Sequence, residues 1–190
     1  MFNRIIKLWQ EAKIMARKPQ AKLKSVKVKL KTPLMDVEGN WEADENEQKA
    51  AWELYVELIT RIAVEELKPE EGLLREALSS LYSLFTETRK ILRNYGPSIA
   101  QPKGKGNLSF GFLAVGVLNS ALRPVLAYWH PILLEYENLR KEGVSSVEHE
   151  RAWGKNKDLR NDLNRLRDTL KVYSLILAEV AGVPHIEVKR

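Results

Sequence analysis

Seven apolar residues recur at alternating intervals of four and three near the C-terminal end of the sequence. They are Leu159, Leu163, Leu166, Leu170, Tyr173, Leu177 and Val180. This spacing places all seven side chains on one face of an α-helix, as a narrow seam that must be buried against other helices. We expect the seam to lie in the protein's own core. A two-stranded coiled coil with a partner is the alternative.

Three further segments also have helical signals. Asp44 and Glu47 have the spacing of a capping box, which opens the first helix. Gly96-Pro97 ends the second helix. Two prolines, Pro124 and Pro131, are expected to kink the third. The predicted helices span about 47–67, 70–95, 109–142 and 146–181. The sequence therefore predicts a mainly α fold, a four-helix up-down bundle over 47–183 with a kinked third helix.

The basic residues are concentrated at the N-terminus. Ten of the 31 lysines and arginines lie within the first 32 positions, where Glu11 is the only acid. This stretch carries +9 while the whole chain carries +6, so the remaining residues are mildly acidic. A charge imbalance of this kind indicates an anionic partner, such as nucleic acid, a membrane surface or an acidic protein.

The basic segment, residues 1–32, is predicted to be an arm with two parts. Residues 1–18 form an amphipathic helix whose apolar face is a candidate membrane or partner contact, made by Phe2, Ile5, Ile6 and Trp9. Residues 23–32 alternate apolar and basic residues, as in a β-strand. The candidate anion-binding residues are Lys22, Lys24, Lys27, Lys29 and Lys31. Residues 33–46 are predicted to be a linker, and 184–190 a tail or a short strand pairing with the lysine strand.

Composition argues against several functions. The chain has no cysteine, three histidines and no HExxH motif, so we expect no metal site and no cofactor. The absence of cysteine suits the cytoplasm. No uninterrupted apolar run reaches the roughly 18 residues that span a bilayer. Residues 96–108 are predicted to be a flexible loop, whose Gly104-Lys105-Gly106 lacks the phosphate-binding pattern of a P-loop. An anion patch of Arg89, Lys90, Arg93, Lys103 and Lys105 is a weaker candidate.

Arg123 and His130 are seven residues apart, which places both side chains on one face of a regular helix. An arginine followed by six residues and a histidine resembles the motif of HEPN domains, which are all-helical, often dimeric proteins that include metal-independent ribonucleases. The resemblance implies that Arg123 would stabilise phosphate charge and His130 would transfer a proton. Three other stretches, AAWELYVELITRIA, GLLREALSSLYSLF and LRPVLAYWHP, are similar to those of bacterial helical proteins without a known activity.

The alternative for Arg123 and His130 is structural: Trp129 packs in the core while its neighbours make hydrogen bonds near the kink. With no complete catalytic set, the sequence favours a non-enzymatic adaptor that docks a protein partner and contacts an anionic surface through its arm. A HEPN-like ribonuclease is the first alternative, with RNA as its partner and a homodimer as its form. A peripheral membrane protein anchored by residues 1–18 is the second.

Overall fold

The computed structural model describes residues 23–61 and 71–186. Two antiparallel strands come first, β1 (Lys24–Thr32) and β2 (Met35–Ala43). The helices that follow are α1 (Glu45–Ile59), α2 (Leu74–Tyr95), α3 (Phe110–Gly116), α4 (Arg123–Glu137), α5 (Ser146–Arg151) and α6 (Asn156–Ala181). A 3₁₀ turn (Pro97–Ala100) follows α2, and a π-helical segment (Val117–Leu122) joins α3 to α4. The predicted mainly helical fold is confirmed.

The apolar seam of α6 forms the centre of the core. All seven of its residues are buried, as predicted. The helix packs against α1 and β1, and α1 packs in turn against α2. Gly182 ends α6 in the left-handed conformation, with φ of 78°, which confirms the predicted C-terminus. The seam is therefore satisfied within the chain and needs no coiled-coil partner.

The predicted strand over 23–32 is confirmed as β1, but the linker predicted over 33–46 is wrong, and so is the assignment of this strand to an arm outside the body. Residues 35–43 form β2, which pairs along its length with β1. The inner face of this hairpin buries Val26, Val28 and Leu30, and β1 packs against α6. The strand belongs to the core because its apolar face completes the covering of α6. The predicted helix over 1–18 and Lys22 lie outside the described residues.

The outer face of the hairpin carries balanced charge. Its lysines are Lys27, Lys29 and Lys31, and its acids are Asp36, Glu38 and Glu42. The register places Lys29 opposite Glu38 and Lys31 opposite Asp36, within reach of cross-strand attraction. Lys24 lies on the inner face, with its Nζ beside Gly182, where the helix C-terminus favours a cation. The described lysine strand therefore presents no excess of positive charge.

Glu47 joins the hairpin, α1 and the loop after α2 at one buried point. The capping box with Asp44 is present, as predicted. Glu47 is also fully buried and accepts hydrogen bonds from the Trp41 indole at 3.1 Å and the Phe110 backbone N–H at 2.9 Å. Lys103 makes an ion pair with it at 2.9 Å. The loop over 101–108 is thus anchored to the fold rather than free, contrary to the prediction of a flexible loop.

The third predicted helix begins at its predicted cap, Ser109, but ends at Glu137 instead of near Glu142. Its irregularity lies in the π-helical segment, where the Arg123 N–H bonds to the Leu118 carbonyl five residues earlier. Pro124 lacks an N–H and its ring crowds the preceding turn, and the wider π turn just before it relieves both. The helix then continues through Pro131.

The fourth predicted helix is divided into α5 and α6. The Ser145 side chain caps α5 by accepting from the Glu148 N–H, as expected for an N-cap. The chain then breaks around Trp153, which is buried against Tyr136 and Trp129, with ring centroids 5.4 and 6.0 Å apart. At the C-terminus, residues 183–186 form no strand, and the Ile186 N–H bonds to the Tyr55 hydroxyl instead. Val188 lies outside the described residues.

Candidate functional site

An open groove of about 500 Å³ runs between α2 and α4. Its lining comprises Tyr82, Phe85, Arg89, Arg123, Leu126, Ala127, His130 and Pro131. The two helices are antiparallel here, because Tyr82 lies against His130 while Phe85 lies against Arg123. The lining positions are three and four residues apart on α2 and follow the i, i+3, i+4, i+7, i+8 pattern on α4, so each helix presents a single face to the groove. We refer to this feature as the α2–α4 groove.

Two arginines meet at one end of the groove. The guanidinium carbons of Arg89 and Arg123 each lie 5.5 Å from the centre of the Phe85 ring, one from each helix. Arg123 also donates from Nε to the Asn119 side-chain oxygen at 3.0 Å. Both arginines are exposed, and no ion pair joins either to a carboxylate among the residues described. Two guanidinium groups beside one ring, without a carboxylate partner in the described residues, favour binding of an anion at this end of the groove.

His130 lies at the other end of the groove and is fixed by Arg75. The Arg75 guanidinium donates to Nδ1 of His130 at 2.9 Å and also makes a bidentate contact with Glu137, with distances of 2.7 to 3.0 Å. Since a guanidinium has no acceptor, Nδ1 must be unprotonated and the ring proton must lie on Nε2. Nε2 is buried and has no hydrogen-bond partner among the described residues.

Burial lowers the pKa of His130 below its ordinary value, and the charge of Arg75 lowers it further, while Glu137 opposes both. The imidazole is therefore held in its neutral form. General acid catalysis needs a protonated imidazole, and general base catalysis needs a nitrogen lone pair that is free. In this structure the one lone pair accepts from Arg75. To act as either, His130 would have to break its bond to Arg75.

The groove brings together the two residues singled out by the sequence. Arg123 and His130 share one face, as their spacing predicted, although no hydrogen bond joins them. Trp129 is buried in the core and donates to Asp162 at 2.9 Å, as the structural alternative expected. Sequence reasoning missed the contribution of α2 to this site. The available signal was the spacing of Tyr82, Phe85 and Arg89, which places an apolar and basic face beside the core stripe of α2.

The weaker anion patch is dispersed by the fold. Lys90 forms an ion pair with Glu87 at 2.9 Å, and Lys103 forms one with Glu47 at 2.9 Å. Of the predicted patch, Arg89 alone lines the α2–α4 groove. Within the described ranges, no group of three or more potential ligands is placed to hold a metal ion.

One helical stretch among the described residues, Phe110–Glu137, is long and apolar enough to cross a membrane by length and composition. The π-helical segment is part of this stretch, and 56% of its apolar window is buried inside the fold. A core helix passes the same test.

No protein-family model, curated protein or solved structure matches the chain.

Proposed function

We propose that this protein is a non-enzymatic binding protein that docks a partner protein in the α2–α4 groove. The observation that carries the proposal is the exposure of this groove. Tyr82, at the edge of the groove, is 59% exposed, and it lies next to exposed Ala127 and Pro131. Exposed aromatic and arginine side chains are the residue types that dominate binding energy at protein interfaces. Leu134, which is 53% exposed, extends the apolar surface by one turn of α4.

The state of His130 also supports binding over catalysis. Its Nδ1 accepts from Arg75, and the same guanidinium is fixed by two oxygens of Glu137. These contacts hold α2 and α4 together at the His130 end of the groove. Such a network gives a rigid docking surface, which lowers the entropic cost of binding.

Site-specific photocrosslinking in cells that contain the protein tests this proposal. A benzoylphenylalanine at Tyr82 is expected to capture a defined partner, while the same group at Leu175 provides the control. Leu175 is 48% exposed on α6 and lies outside the groove lining. The purified partner should then bind the wild type at least about tenfold more tightly than Tyr82→Ser, as expected for an interface anchor. Equal capture at both positions would contradict docking in the groove.

A HEPN-like ribonuclease remains a second proposal, because Arg123 and His130 line the same groove. Incubation of single-stranded RNA with the protein in EDTA tests it directly. Docking without catalysis predicts no cleavage. Cleavage that is abolished by Arg123→Ala and by His130→Ala would instead establish the nuclease. The homodimer that the resemblance implies also stays a prediction, to be measured by sedimentation.

The outer face of the hairpin has as many acids as lysines. The proposed contact with an anionic surface would therefore have to be made by the basic residues within 1–22. Membrane anchoring by this segment stays a prediction. Flotation with anionic liposomes tests it, and the informative deletion is 1–22 rather than 1–32, because β1 is part of the core. Equal flotation with and without residues 1–22 would rule the anchor out.

The four-helix up-down arrangement is likewise retained as a proposal for the scaffold. It is supported by α1, α2, the stretch over 110–137 and α6, of which α2 and α4 run antiparallel.

A further inference from the structure

The α2–α4 groove has different chemistry at its two ends. At one end, Arg89 and Arg123 lie over the Phe85 ring. At the other end the exposed surface is apolar, formed by Tyr82 and Pro131. Arg75 lies beyond this end, but its charge is matched by the bidentate contact with Glu137. Among the described residues, the groove's arginines that lack a carboxylate partner are therefore confined to one end.

This distribution distinguishes an acidic peptide from a nucleic acid. A nucleic-acid backbone carries a charge at every nucleotide, so its binding sites place cations along the whole track. Here the cations stop after one pair and an apolar surface follows. A peptide with an acidic group at one position and a bulky apolar residue at another fits both ends.

We propose that the groove recognises an acidic linear segment of a partner protein, with a carboxylate between Arg89 and Arg123 and an apolar anchor against Tyr82 and Pro131. The inference rests on the proposed docking function and specifies the partner's chemistry. Arg89 and Tyr82 are seven residues apart on α2, which is about 10 Å along the helix axis. The acid and the anchor are therefore about seven residues apart in a helical segment, or about three in an extended one.

Selection from a phage library of random 16-residue peptides tests this specificity. The bait proteins are the wild type, the double variant Arg89→Glu/Arg123→Glu, Tyr82→Ser, and a charge-matched control, Lys90→Glu/Lys157→Glu. The control makes the same change in net charge at exposed lysines outside the groove lining. Circular dichroism of each variant establishes that it is folded before selection.

The wild type and the lysine control are expected to select peptides with Asp or Glu at the stated spacing from an aromatic or large aliphatic residue. The consensus peptide should bind the double arginine variant at least about tenfold more weakly, and its affinity for the wild type should fall with salt. The double variant should itself select peptides without acids, since it presents carboxylates where the wild type presents guanidinium groups.

Three results would overturn the inference. Selection of apolar peptides with no acidic bias, still lost in Tyr82→Ser, would leave the docking function intact and reject the acidic partner. Failure to select any peptide whose binding depends on Tyr82 would reject the docking function as well. Tighter binding of poly-uridine than of the consensus peptide, lost in the double arginine variant, would assign the groove to nucleic acid.

Discussion

Replacing Glu47 with alanine is expected to destabilise the fold strongly. The side chain is fully buried, and its removal leaves three donors without their acceptor: the buried Trp41 indole N–H and Phe110 backbone N–H, and the partly buried Asp44 backbone N–H of the capping box. Each buried donor left unpaired costs about 1–3 kcal/mol. Lys103 also loses its ion pair but keeps Asp44, at 3.4 Å. Removing one member of a buried ion pair costs about 3–5 kcal/mol, so we expect a total near this range.

Urea unfolding followed by circular dichroism at 222 nm measures the effect as a lower midpoint at an unchanged slope. Glu47→Gln separates charge from hydrogen bonding, because its amide oxygen still accepts from Trp41 and Phe110 while the charge that pairs with Lys103 is lost. We expect it to fall between the wild type and Glu47→Ala. The matched control is Glu45→Gln, two residues earlier on the same helix and paired only with exposed Lys49 among the described residues, which should change the midpoint little because such surface pairs contribute little to stability. A Glu47→Ala protein as stable as wild type would refute the role of Glu47 as the buried junction.

Three further predictions follow from the fold and the groove. Leu30→Ala should cost about 2–5 kcal/mol in the same urea experiment, whereas Lys29→Ala, which loses only its attraction to Glu38, should cost less than about 1 kcal/mol; equal midpoints would restore the view of β1 as an arm outside the core. The pKa of the His130 imidazole, measured by NMR, should lie below 6.5 and should rise in Arg75→Met. Because this pKa is lower in the folded protein than in the unfolded chain, the contribution of His130 to the free energy of unfolding is full above about pH 6.5. It is lost as the pH falls through the folded pKa. Gly104→Ala should cost about 1–3 kcal/mol, because φ is +58° there, a backbone conformation that L side chains rarely adopt, and the Glu42 side chain of β2 would also have to move aside; an unchanged urea midpoint would show that the loop adapts.

The elements that the sequence predicted well are those with local or strongly periodic signals. The seam of α6 keeps its spacing over seven residues, and only a helix buries all of its members together. The capping box of Asp44 and Glu47 needs only residues three apart. Ser109 and Gly182 likewise act on the helix ends next to them. Each of these features is determined within a few turns of the chain.

The missed strand, β2, had a weaker form of the same signal. Val37 and Trp41 alternate with acids, but Gly39 and Asn40 interrupt the pattern and are typical of a linker. The structure gives the reason for the glycine. A Cβ at Gly39 would clash with the side chain of Asn107 from the loop after α2, which hydrogen-bonds to the Asn40 backbone at 2.8 Å. That loop is 67 residues away in sequence, so no local pattern reveals the need.

The candidate site was predicted for one helix and not for the other. The spacing of Arg123 and His130 was enough to place them on one face. That Arg75 would bind His130 depends on how α2 packs against α4, over a separation of 55 residues. The prediction that the lysines of β1 bind an anion failed for a related reason. The acids of β2 neutralise these lysines only when the two strands pair. Counting charge along the chain could not show this compensation.

The wide turn over Val117–Leu122 has a consequence for how this gene can change. It accommodates one residue more than a regular turn would, so deleting a single codon there would leave a regular α-helical turn, in which Pro124 crowds the turn before it. Deleting a codon in the regular helix on either side would instead rotate everything upstream by about 100° relative to everything downstream. Buried Phe110 and Leu113 would then turn toward water, or Arg123 would leave its place above the Phe85 ring. Point substitutions elsewhere on the groove alter one contact each. Loss of a residue inside the wide turn is absorbed locally, whereas loss of one beside it alters the relation between two halves of the molecule at once.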